Sequence, residues 1–145
     1  MNEGIFELKK IIEEGKLLSL NMFMMDSFDD ALEGRESPEF ELEWMRVFKE
    51  LELLKYSQRP TDPEIDLMNS IREIAFKKAS EYGGDPFAPY ISDDFGLIAL
   101  SLILNYRDSW LNSLWLEYKN DHFPCMKLTS VELDINQDIL EFCKV

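Results

Sequence analysis

Apolar residues recur along this chain at three- and four-residue steps, the spacing of helices that bury one face and wet the other. Ile5, Leu8, Ile12, Leu18, Met22 and Met25 form such a stripe, with Lys9, Lys10, Glu13 and Glu14 off its centre. The spacing predicts a helix over about 3–25 that can bend or break at Gly15, since glycine inside a helix is about 1 kcal/mol worse than alanine. Residues 26–36 include Gly34 and few large apolar side chains, and read as a loop with a short helical turn around 28–32. Ser37-Pro38 then has the form of a helix start: the serine side chain caps, and proline lacks an N–H that would go unsatisfied there anyway. Phe40, Trp44, Val47, Phe48, Leu51 and Leu54 are expected to face inward on that helix, with Glu39, Glu43, Arg46 and Glu50 toward water.

Arg59-Pro60 stops this helix, and Asp62-Pro63 is expected to open the next in the same manner. Its stripe is Ile65, Met68, Ile71, Ala75, Ala79 and Tyr82, closed by Gly83-Gly84. Residues 85–91, with Pro86 and Pro89, read as a connection, after which Ser92 or Asp93 can cap a helix. From Phe95 to Leu104 that helix is apolar on nearly every side and is expected to be central. A polar interval at 105–109 precedes a one-sided face at Trp110, Leu111, Leu114 and Tyr118. Residues 128–135 alternate enough to suggest a strand or an extended loop, and a helix is expected over 136–143. Five or six helices with short connections make an all-α, bundle-like domain around 95–104, taken as one unit over 1–145.

Composition narrows the function classes. With 145 residues, 46% of them hydrophobic and 30% charged, the chain can bury a real core. Its 29 acidic residues against 15 basic ones give a net charge of -14. Such a surface repels phosphate backbones and anionic headgroups, so nucleic acid and membranes are poor partners. The first twenty residues carry Glu3, Glu7, Glu13 and Glu14 and do not read as a secretion signal. Cys125 and Cys143 are too few to staple a domain of this size, which fits reduced thiols and a cytoplasmic location. The apolar run 95–104 is about half the length of a membrane span.

No sequence motif for catalysis stands out. The lone histidine lies in His122-Phe123-Pro124-Cys125; a Cys/His metal pair could have this spacing, but structural zinc normally needs four ligands and no second pair exists. There is no nucleophile elbow, phosphate-cradling glycine loop or dinucleotide fingerprint. Carboxylates alone could hold a divalent cation at Asp26, Asp29 and Asp30 or at Asp93-Asp94, yet neither group matches a calcium loop, and the second suits a helix N-terminus. No catalytic residue, cofactor or metal is expected.

What remains is charge density. Asp26, Asp29, Asp30, Glu33, Glu36, Glu39, Glu41 and Glu43 are opposed only by Arg35, a net -7 within residues 26–43. Like charge of this density keeps a surface solvated, and it also docks a cationic protein, accelerating encounter and rejecting wrong partners. Small, acidic, helical and without catalytic motifs, the chain resembles the immunity proteins of bacterial toxin–immunity pairs. The resemblance lies in general character and carries no family residue to a position here. It implies inhibition by occlusion, in which Asp29, Asp30, Glu33, Glu36 and their neighbours cover a basic toxin, such as a nuclease with a cationic groove. Two alternatives stay open. One is a helical adaptor that binds a partner through an apolar patch at Trp110, Trp115 and Tyr118; the other is a carboxylate–metal enzyme using Asp26, Asp29 and Asp30. Oligomeric state is not readable from the sequence.

Overall fold

The computed structural model describes residues 3–24 and 28–144, with the side chains of Phe28 and Asp29 left aside. Eight helices are present among the described residues and no strand. They are α1 (Gly4–Glu13), α2 (Leu20–Phe23), α3 (Phe28–Gly34), α4 (Pro38–Gln58), α5 (Asp62–Tyr82), α6 (Ala88–Leu104), α7 (Ser109–Lys119) and α8 (Ile135–Cys143).

The helix expected over 3–25 breaks at Gly15, where its sequence allows a break, into α1 and α2. Gly15 adopts φ +80°, a left-handed conformation that glycine enters without a Cβ clash. The chain turns there, and Leu17 and Leu18 still enter the core. The helix start at Ser37-Pro38 is as expected, with Phe40 N–H donating to Ser37 Oγ at 3.4 Å, and Arg59 closes α4 in the left-handed region ahead of Pro60. At α5 the cap is Thr61 rather than Asp62. Its hydroxyl accepts from Glu64 N–H while the Glu64 carboxylate accepts from Thr61 N–H at 2.8 Å, a reciprocal capping box.

The largest correction concerns α6. It begins at Ala88, with Pro89 in its first turn, so Ser92, Asp93 and Asp94 lie inside the helix and none of them caps it. Proline is tolerated there because first-turn N–H groups have no intrahelical acceptor. Every residue from Asp94 to Leu104 is buried, and α6 packs against α1, α4, α5 and α7. α1 lies against α5, α6 and α8, which brings the two ends of the described chain together.

Residues 128–134 are coil, not strand. Side chains of α7 hold this coil by its backbone. Asn112 Nδ2 donates to the Val131 carbonyl at 2.8 Å, Ser113 Oγ donates to the Thr129 carbonyl, and Val131 N–H reaches the Ser109 carbonyl. A strand without a partner strand has no ladder to satisfy its backbone, and here α7 takes up the Thr129 and Val131 carbonyls and the Val131 N–H instead. α8 then covers Trp115, whose Nε1 donates to Asp138 at 2.7 Å and whose ring meets Phe142 edge-on. Among the described residues no helix is long and apolar enough to cross a membrane.

Candidate partner-binding site

Beneath the acidic segment lies a buried network. Arg35 follows the end of α3, is 4% exposed, and pairs with Asp94 of α6, which is fully enclosed. Asp94 also accepts from Trp44 Nε1 of α4 at 2.9 Å and from the Tyr118 hydroxyl of α7 at 2.5 Å. Arg35 donates in addition to the Pro124 carbonyl at 3.2 Å and lies over the rings of Phe40, Tyr90 and Phe123, the nearest centroid 4.2 Å away. A buried charge persists only when paired and hydrogen-bonded. Here one carboxylate receives three donors, and one guanidinium is enclosed by aromatic faces and oxygen acceptors. Although burial opposes charge on Arg35, Asp94 and Tyr118 more than offset it and hold the guanidinium protonated. Burial pushes the Tyr118 phenol well above its ordinary range, and the neighbouring Asp94 pushes the same way.

This network fixes the start of the acidic face. Arg35 ties the end of α3 to α6, and Met126 N–H donates to the Gly34 carbonyl at 2.9 Å. A Cβ at Gly34 would stand 2.8 Å from Met126 Cγ, so the close approach of α3 to the 121–126 loop suits glycine. Between them is a hollow of about 630 Å³ whose lining includes Asp30, Glu33, Asp121, His122, Phe123 and Met126.

Of the eight carboxylates singled out in the sequence, Asp26 and the side chain of Asp29 lie outside the described residues. Asp30, Glu33, Glu36, Glu39 and Glu41 are exposed and have no cationic partner among the described residues. Glu43 differs: it binds Arg46 at 2.9 Å, and Arg46 bridges onward to Glu50 and Asp108. Glu39 and Glu41 also sit in the first turn of α4, where negative charge is favoured by the exposed N–H groups. Asp121 joins this face from a loop distant in sequence, which no local pattern could have signalled.

The apolar patch imagined at Trp110, Trp115 and Tyr118 does not exist as a surface. The three side chains are 2%, 0% and 0% exposed. Nor is Cys125 poised as a nucleophile. Burial, and next Glu117, raise its thiol pKa, the opposite of what activation requires. His122 lies 3.5 Å from Glu117 and is half exposed. Among the described residues no three His, Cys, Asp or Glu side chains converge on a point where a metal ion could sit.

The model of one protein family, described as Immunity protein PIM1, matches residues 7–125. No curated protein and no solved structure matches the chain. The matched span takes in α3 to α7, the buried network and the acidic face built upon it. A match across this much of the sequence establishes that the chain belongs to the PIM1 family of immunity proteins.

Proposed function

We propose that this immunity protein works without catalysis, in the cytoplasm, by covering a cationic toxin with the acidic face formed by α3, the start of α4 and the 121–126 loop. The observation that carries the reading is the fate of Arg35. It is the only base among residues 26–43, and its charge is spent inside the molecule on Asp94. The surface carboxylates Asp30, Glu33, Glu36, Glu39 and Glu41 are therefore less neutralised than the local sequence sum suggests. A field of one sign at a concave surface draws in an oppositely charged partner and fixes its approach. The hollow between Asp30, Glu33 and Asp121 is concave in this way, with Phe123 and Met126 as apolar floor for the stem of a lysine or arginine. A nuclease fits the description of the target, because its substrate groove is basic and carboxylates can occupy the positions of phosphates. A stable complex of this kind buries about 1,200–2,000 Å².

The test is association kinetics between the immunity protein and its cognate toxin domain, to be sought among the neighbouring genes. The charge-reversed variant Asp30→Lys/Glu33→Lys/Glu36→Lys is expected to associate at least about tenfold more slowly at low salt, and to lose the salt dependence of the wild-type protein. Association at the wild-type rate, with the same salt slope, would remove these residues from the interface.

A further inference from the structure

α4 carries apolar side chains on the side away from the core as well as on the buried side. Met45 is 42% exposed and Phe48 is 37% exposed, the latter stacked on Trp44 with ring centroids 5.5 Å apart. Single exposed apolar residues are ordinary. These are not single, because they form one wall of two hollows, about 310 and 440 Å³, that share Trp44, Met45 and Asp93 and so run together. The opposite wall is α6, from Tyr90 at one end to Leu97 and Leu100 at the other, joined in the larger hollow by Met68 and Arg72 of α5. The groove follows α4 from Glu41 to Lys55, about 21 Å of helix axis at 1.5 Å per residue, enough for roughly four turns of a docked helix.

We propose that this groove is the anchor site for the toxin, taking an amphipathic toxin segment whose apolar row seats against Met45, Phe48 and Leu97 and whose basic end lies over Glu41. The proposal rests on the reading of the acidic face given above and extends it. Charge selects the occupant. Asp93 at the groove is already bridged to Arg72 at 2.9 Å, whereas Glu41 has no cationic partner among the described residues. Glu41 also belongs to the acidic face, so groove and face are continuous at that residue. A second copy of this chain is disfavoured as occupant, because pairing would bring together two molecules of net charge -14. The division of labour is physical: long-range attraction by the carboxylates sets the rate of encounter, and desolvated apolar side chains set the lifetime of the complex.

The experiment uses the same cognate toxin domain, measuring association and dissociation rates with Met45→Ala/Phe48→Ala and, separately, with Asp30→Lys/Glu33→Lys/Glu36→Lys. The groove variant keeps every charge, and Met45→Ala alone serves should the double variant have a lowered unfolding midpoint. A dissociation rate raised about tenfold or more, with association rate and salt slope unchanged, is the expected result. An unchanged dissociation rate for the groove variant, while the acidic variant still associates slowly, overturns the anchor and leaves the acidic face standing. Faster dissociation of the groove variant with normal association of the acidic variant overturns the acidic reading, and with it the basic end assigned to the toxin segment. Light scattering that finds a dimer of the free immunity protein, abolished by Met45→Ala/Phe48→Ala, also overturns the proposal.

Discussion

Asp94 and Glu33 carry the same charge, and the fold treats them in opposite ways. Asp94 is wholly enclosed and receives Arg35, Trp44 and Tyr118, groups from three other parts of the chain. Glu33 stands exposed, with no cation paired to it among the described residues. The first carboxylate is satisfied by the molecule itself, so removing it injures the fold. The second is satisfied only by water, so removing it leaves the fold intact and alters what the surface attracts. The difference teaches that the net charge of this chain is a poor guide to its acidic face, because the one local base has been withdrawn into the core.

The comparison breaks first at Asp94. Asp94→Ala leaves the Arg35 guanidinium buried without its counter-charge and is expected to lower unfolding free energy by about 3–5 kcal/mol in a denaturant titration. The double change Arg35→Met/Asp94→Leu is expected to lose less, since no uncompensated charge remains and the residual cost is that of the Trp44 indole and Tyr118 hydroxyl left without their acceptor. A single-variant loss below about 1 kcal/mol would show that the network does not hold α3 to α6. On the exposed side, Asp30→Lys/Glu33→Lys/Glu36→Lys is expected to leave the unfolding midpoint nearly unchanged, at about 0.5 kcal/mol or less per site, while slowing toxin association. Loss of stability comparable to that of Asp94→Ala would abolish the contrast.

Alkali sharpens the same contrast. The Tyr118 phenol in the folded protein holds its proton above the ordinary tyrosine range, through burial first and Asp94 next. The unfolded chain releases that proton near pH 10, so stability is intact below about pH 10 and falls as pH rises beyond it. Unfolding monitored across pH 9–12 is expected to show this fall, and Tyr118→Phe to lessen its slope. Smaller effects belong to the periphery. Thr61→Ala removes the hydroxyl half of the capping box and is expected to lower stability by about 1 kcal/mol, without effect on toxin binding. Burial and a hydrogen bond toward Glu7 push the Cys143 thiol up to about 11. At pH 8 only about one molecule in a thousand then carries the thiolate, and alkylation by iodoacetamide is expected to be far slower than in the unfolded chain.

Local pattern was sufficient for most of the helices. The start at Ser37-Pro38, the stop at Arg59-Pro60 and the buried run through 95–104 all follow from side chains a few residues apart, and the structure has them. Where local signals were ambiguous, they misled. Asp93-Asp94 has the look of a cap, but Pro89 is compatible with a helix already begun, and α6 starts before it. Trp115 stands beside the main stripe of α7, and only the arrival of α8 turns it inward.

The membership of the acidic face divides in the same way. That residues 26–43 are crowded with carboxylates is a property of composition, fixed before any folding. That Arg35 leaves them and that Asp121 joins from eighty-odd residues away are decisions of packing, whereas the Glu43–Arg46 pair lies three residues apart on one helix and is local. Sequence periodicity records which side of a helix is apolar; it holds no information on which distant side chain will meet a buried charge. Pairing Arg35 with Asp94 brings together residues 59 positions apart, and only the assembled core supplies the low-dielectric enclosure that makes such a pair compulsory.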